Sequence, residues 1–182
     1  LWGSAFVSVA VLLTIVGYLF YKGFSYISFD FIFGDYSPVG GGGIFPMIVT
    51  TIYTIIISLI IATPIGILAA VYLQEYAKQG RLVRIIRYAT ESLTGIPSII
   101  YGLFGAVFFV AILKLGMSII AASLTLTIIV LPVIIRTTEE ALKTVPASYR
   151  EGSLALGTTK LQTLYKVILP SAMPGILSGI IL

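Results

Sequence analysis

Four stretches of this chain carry no charged side chain at all: Leu1–Tyr21, Tyr36–Gln74, Ser92–Leu113 and Leu115–Ile135. Each meets or exceeds the roughly 20 residues that a helix rising 1.5 Å per residue needs to cross about 30 Å of hydrocarbon. A backbone in lipid must satisfy its own hydrogen bonds, which leaves helices or closed barrels. Continuous apolar runs, rather than ten-residue segments of alternating polarity, exclude the barrel. Composition agrees, since 10% of residues are charged and mean hydropathy is +1.10, against about 25% charge in soluble domains. The expected fold class is therefore all-α, a polytopic integral membrane protein.

Leu1–Tyr21 is too long, and too lacking in a basic leading segment, for a cleaved signal peptide, so it is read as a span. The chain begins on Leu, and its last apolar run, Val167–Leu182, stops at 16 residues. Both ends are accordingly expected to be truncated, with further helices of a six-helix protein outside the sequence. Cysteine and histidine are absent, which excludes disulfides, Cys/His metal sites and Ser-His or Cys-His catalysis from this piece.

The polar segments between the runs differ in charge. Lys78, Arg81, Arg84 and Arg87 fall in one, and Arg136, Lys143, Arg150, Lys160 and Lys166 in another; together they hold nine of the eleven basic residues. The positive-inside rule makes segments 74–87 and 136–170 cytoplasmic, and places the Gly-rich loop 23–43 and Lys114 outside. That distribution explains the net charge of +4 by topology, without nucleic acid.

Three local patterns refine the picture. In RLVRIIRYA, Leu82, Ile85, Ile86 and Ala89 recur at i, i+3, i+4, i+7, the mark of an interfacial amphipathic helix entering the next span. In LTGIPSIIYGLFG, Gly95, Pro97, Gly102 and Gly105 each weaken a helix in water, and suit close packing or a lined pathway in a membrane. The glycines at 40–43 precede no Lys-Ser/Thr pair and follow no strand, so they read as a flexible loop rather than a phosphate cradle.

Between Ile135 and Pro170 the chain is too organised for a linker. Pro146 suits the start of a helix over Ala147–Leu156, and Gly157 suits the left-handed position that ends it. Thr159 and Gln162 form a T-x-x-Q capping box for a second helix, with Leu161, Leu164, Tyr165 and Ile168 as its stripe. Pro170 is expected to break or bend that helix. The first helix carries Ala147, Ser148, Gly152, Ser153 and Ala155. So little bulk suits a helix entering a groove on another protein, with Arg150 and Glu151 at the rim. Packing on its own membrane domain is the alternative, and the residues alone leave both open.

Glu151-Gly152-Ser153, Gly157 six positions after Glu151, and Val167-Ile168-Leu169-Pro170 resemble the EAA loop of bacterial and archaeal ABC-importer permeases. The family pattern is E-A-A, three residues, G, nine residues, I-x-L-P; the spacing is intact here, with Gly152, Ser153 and Val167 as small or aliphatic replacements. The runs GGGGIFPMIVTTIYT, LTGIPSIIYGLFG and LPVIIRTTEEALKTVPASYRE are similar to phosphate-uptake permeases, more to the PstA type than to its PstC-type partner. This likeness runs from about Asp30 to the end of the chain.

The resemblance implies a type I ABC importer permease fold over 1–182, with a first span at 1–22 and a permease core at 44–182 containing the coupling loop 136–170. It also implies a location in the plasma membrane of a bacterium or archaeon, an ABC ATPase dimer that binds ATP and Mg, a PstC-type second permease subunit and an external phosphate-binding protein. Glu151, Gly152, Ser153, Gly157, Leu169 and Pro170 would couple the ATPase to the membrane helices. The chain has no nucleotide-binding loop of its own and is expected to bind no cofactor and act as no enzyme. For substrate passage the candidates are Arg136, which follows 21 uncharged residues, and Glu139, one helical turn on. Arg136 offers a phosphate oxyanion two hydrogen bonds, and Glu139 would hold or release it. An interfacial anchor is the alternative for Arg136. The rival functions are a permease for sulfate, molybdate or a sugar, and a membrane scaffold without transport.

Overall fold

The computed structural model describes residues 2–39, 42–78 and 80–181, and among them it is helical with turns and no strand. Two compact units divide inside one helix, at 1–52 and 53–182.

In the first unit, α1 (Trp2–Gly23) buries none of its residues, as an apolar helix meant for lipid can afford. A short α2 (Phe29–Phe33) follows, capped by Ser28, whose hydroxyl accepts from the Phe31 amide. The loop after it makes backbone hydrogen bonds where it is described. Gly43 N–H donates to Asp35 O at 2.8 Å, and Ile44 N–H to Phe31 O at 2.8 Å. A Cβ on Gly43 would overlap the Gly34 backbone, and one on Gly42 would overlap Ser37. Both glycines thus sit where a side chain would not fit; Gly40 and Gly41 lie outside the described residues.

The second unit is built on α3 (Phe45–Val71) from Tyr53 onward, α6 (Ile119–Thr144) and α9 (Leu169–Ile181). Ser58, Ala62, Gly66 and Ala70 make a buried stripe of small residues on α3, at the four-residue spacing that keeps one helix face. Ser58 donates to Ser123 O of α6 at 2.9 Å, and a Cβ on Gly66 would strike Ile134. On the other side Gly175 and Gly179, a G-x-x-x-G pair, bring α9 against Ala141 and Thr137 of α6. Small residues of this kind let backbones meet where lipid gives no hydrophobic drive between helices. The core lies at this end of the unit: Val71, Ala141, Leu142, Val145, Leu164, Ile168, Ala172 and Ile176.

Among the described residues, four helical segments are long and apolar enough to cross a membrane: Trp2–Tyr26, Phe45–Tyr76, Ile119–Thr144 and Lys160–Ile181. Two expectations change. The run Ser92–Leu113 is not one straight helix, because α4 (Arg81–Thr94) and the segment Ser98–Ile112, which is α5 (Ser98–Gly105) and a wide π-helical stretch, meet at 96°, the geometry of a broken span or a re-entrant loop. Gly95, Ile96 and Pro97 make the corner, where Pro97 disfavours a helical residue before it. Tyr101 fastens the corner by donating its hydroxyl to Leu93 O at 2.8 Å. Of the glycines in this run, Gly105 makes the close helix contact, abutting Thr125, while a Cβ on Gly102 would meet nothing within 4 Å.

The second change concerns the last span. It begins inside the polar segment: α8 (Lys160–Thr163) runs through a π turn (Leu164–Ile168) into α9, so Pro170 does not break the helix. A proline removes one helical hydrogen bond and crowds the preceding turn. The π turn just before it, closed by Leu169 N–H to Leu164 O, widens the helix at that place. It also resets the face. Leu164 and Ile168 are buried with Ala172 and Ile176, whereas Leu161 and Tyr165 of the expected stripe are exposed. On α4, similarly, Val83 is the buried residue, while Leu82, Ile85 and Ala89 lie outward. That leaves an apolar face open on the interfacial helix.

Candidate functional site

Two neighbouring features carry the candidate residues, and both belong to the second unit. The first is α7 (Ala147–Ala155), with Pro146 just before it and Leu156 closing it, one residue short of the expected end. Gly157 follows at φ +81°, the left-handed conformation its lack of Cβ permits. Thr159 then starts α8 with the expected capping box: its hydroxyl accepts from Gln162 N–H at 3.3 Å, and its own N–H donates to Gln162 Oε1 at 3.0 Å.

α7 has two unlike sides. Arg150 turns inward instead of standing at a rim. Its Nη2 lies 2.6 Å from Glu75 Oε1 and donates to Leu142 O at 3.1 Å, and its Nη1 donates to Val145 O at 3.0 Å. It thereby fills carbonyls left without partners at the end of α6, where a cation also suits the helix dipole. Ser153 turns inward too, in a hydroxyl cluster with Thr158 at 2.8 Å and Thr163 at 3.0 Å. Ala147, Ser148, Glu151, Gly152 and Ala155 are exposed, and a Cβ on Gly152 would meet nothing within 4 Å. The positions i, i+1, i+4, i+5, i+8 form one continuous face.

The residues of the E-A-A-like pattern are thus divided. Glu151 and Gly152 lie on the open face, Ser153 holds the helix from behind, and Gly157 makes the turn. Leu169 packs against the core and Pro170 is exposed.

The second feature is a cavity of about 170 Å³ lined by Leu73, Arg87, Thr90, Glu91, Ile135, Arg136, Glu139, Glu140 and Lys143. Arg136 and Glu139 both line it, yet they do not pair. Arg136 Nε donates to Glu140 at 3.2 Å and Nη1 to Glu91 at 3.3 Å. Glu139, 6% exposed, instead receives Arg87 Nε at 3.3 Å, with Lys143 Nζ at 4.0 Å. The i+3 spacing put both residues near one face, but the i+4 neighbour is the better placed for a salt bridge on this helix. Arg87 is a site residue that the sequence reading missed, and Gln74, outside the cavity lining, accepts from it at 3.3 Å. Arg87 stood out only as one arginine of an interfacial helix, and nothing in the sequence pointed it at Glu139, 52 residues on.

With that geometry in hand, comparison with known proteins is informative. A family model described as "Binding-protein-dependent transport system inner membrane component" matches residues 62–182. The Bacillus subtilis (strain 168) protein "Probable ABC transporter permease protein YqgI" is 38% identical over 95% of this chain and 59% of its own. "Phosphate transport system permease protein PstA 1" of Mycobacterium tuberculosis (strain ATCC 25618 / H37Rv) is 39% identical over 78% of this chain and 46% of its own. The chain thus spans about half the length of the curated relatives it matches. Among solved structures, inward-facing conformations of the MetNI methionine ABC transporter superpose with a TM-score of 0.59 at 28% identity, over 76% of this chain and 64% of that one.

Proposed function

Because this chain belongs to the family of binding-protein-dependent transport system inner membrane components, a multi-pass plasma-membrane family, we propose that it works as a permease subunit of an ATP-driven importer of inorganic phosphate. The observation that carries the reading is the two-sided α7, stapled behind by Arg150 and open in front. A helix fixed to its own domain, yet smooth on its free face, suits entry into a groove on another protein. That favours docking over self-packing, the two readings the residues alone left open.

On this reading, Glu151 and Gly152 meet one subunit of an ABC ATPase dimer, which binds ATP and Mg. A PstC-type permease pairs with this chain, and an external binding protein delivers phosphate. Segments 74–87 and 136–170, and with them α4 and α7, face the cytoplasm, and loop 23–43 faces outside, as their basic residues suggest. Closure of the ATPase dimer drives α7, and the membrane helices shift between outward- and inward-open states because those states differ in affinity for the partner.

Arg136 is the proposed phosphate contact. Its two ion pairs are half exposed or more, and such pairs are worth about 0–1 kcal/mol. A phosphate offering charge-assisted bidentate hydrogen bonds can therefore displace Glu91 or Glu140 at small cost. Glu139, held by Arg87, keeps a fixed negative charge beside that position and favours release. Relatives bearing phosphate-transport names support the substrate.

The test uses the complete complex in proteoliposomes. Glu151→Lys and Gly157→Pro are expected to abolish phosphate uptake and weaken co-purification with the ATPase, and full activity of both would refute docking. Arg136→Ala is expected to assemble normally and lose uptake. Competition by sulfate or molybdate as strong as by phosphate would move the reading to another oxyanion.

A further inference from the structure

The two features just described share one joint. Gln74 and Glu75 are consecutive residues in the π turn Tyr72–Tyr76 that ends α3, closed by Ala77 N–H to Tyr72 O at 2.8 Å. They reach in different directions. Glu75 takes Arg150 of α7 at 2.6 Å, while Gln74 Oε1 takes Arg87 of α4 at 3.3 Å. Arg87 in turn holds Glu139 of α6, and Leu142 O, one turn further along α6, accepts from Arg150. The links close on themselves: Arg150 to Glu75, along the chain to Gln74, to Arg87, to Glu139, along α6 to Leu142, and back to Arg150.

We propose that this closed polar ring is the gear between the docking helix and the pocket that holds Arg136, with Glu75 and Gln74 as its positioning residues. The proposal rests on the reading of α7 as the ATPase contact. A displacement of α7 pulls on Glu75 and on the end of α6 together. Both routes converge on Arg87–Glu139, so the charge arrangement beside Arg136 changes whenever α7 moves. The joint is a single π turn at the end of α3, a departure from α-helical geometry of the kind often found at functional sites. Spatial adjacency alone does not establish coupling, so the experiment measures coupling directly.

Wild-type, Glu75→Gln, Gln74→Leu and the double variant are reconstituted as the full complex with the binding protein. Phosphate taken up per ATP hydrolysed is the readout. Both substitutions leave the open face of α7 and the cavity lining at Arg136 untouched. The expected result is ATP hydrolysis within about twofold of wild type and uptake per ATP reduced about tenfold in each single variant, in the range of typical coupling energies. The double variant should be no worse than the more severe single, because both cut one circuit. Unchanged uptake per ATP, or losses that multiply in the double, would overturn the ring. Failure of either single variant to assemble would also overturn it, by making these residues folding contacts. Glu151→Lys run beside them separates the two ideas: if it uncouples while Glu75→Gln does not, the ring alone falls. If Glu151→Lys is fully coupled, docking falls and the ring with it.

Discussion

Arg136 lies two turns before the end of α6 and Arg150 just beyond it in α7, and each meets carboxylate. The resemblance in sequence hides opposite physics. Arg150 is a quarter exposed, faces a Glu75 that is 16% exposed, and spends its remaining donors on two backbone carbonyls. Arg136 is half exposed and shares itself between Glu91 and Glu140, both more exposed still. A charge withdrawn from water is stabilising only while its partners are in place, and removing one partner strands the other. A charge left in water is nearly free to change partners. The first arrangement suits a part that must hold its shape, and the second a part that must exchange ligands.

Stability measurements can break that contrast, and the largest effect is expected at Arg150. Arg150→Met leaves Glu75 unpaired and uncaps the last turn of α6. We predict a loss of about 2–3 kcal/mol, toward the low end for a buried pair because some solvent reaches it, read as thermal unfolding of the detergent-solubilised complex. A loss no greater than that of Arg136→Ala would mean burial does not separate the two arginines.

Next come two glycines of the same loop, which ask whether α7 is fixed by backbone or by contact. Gly157→Ala forces a side chain into φ +81° and is predicted to cost about 1–2 kcal/mol. Gly152→Ala adds a methyl to an exposed helical position with nothing near it, so it should stabilise by roughly 0.5–1 kcal/mol. Equal effects would show that the turn geometry is not what holds the lever. Smaller again, Thr159→Ala removes one half of the capping box and should cost about 1 kcal/mol. Circular dichroism and thermal unfolding of the same preparation would register it.

The sequence was most legible where a single local rule decided the outcome. Uncharged length located α1, α3 and α6; Thr159 with Gln162 located a helix start; Gly157 located a left-handed turn. It was least legible where long-range packing chose between local options. Gly95 and Pro97 were visible as weak points, but the 96° corner depends on Tyr101 reaching back to Leu93. The stripe on the last span failed because the π turn at Leu164–Ile168 shifts the helical register, and periodicity counted at 3.6 residues cannot see it. At the site, Arg136 and Glu139 line one cavity, but the sequence did not show that each takes a neighbour four residues on, Glu140 and Lys143, and a second partner from α4, Glu91 and Arg87. Charge alone does not reveal which arginine will be buried.

The smallest stability effect is expected at Arg136, and it sharpens the comparison most. Arg136→Ala removes two exposed ion pairs, each worth about 0–1 kcal/mol and screened by salt. Glu91 and Glu140 are left facing water, so no buried charge is stranded, and the melting temperature should move by no more than about 4–8 °C even if both pairs contribute fully. The residual difference from wild type should vanish as salt is raised toward 1 M, where the screening length falls to about 3 Å. Glu139 provides the internal control, because it is buried: Glu139→Ala takes the carboxylate from Arg87 and leaves a gap in the packed site, and should destabilise clearly more than Arg136→Ala does, with little salt dependence. If Arg136→Ala is instead as damaging to stability as Glu139→Ala, Arg136 is a structural anchor and its pairs are not exchangeable. If stability holds while uptake is lost, a nearly costless ion pair is doing work that only its substrate can see.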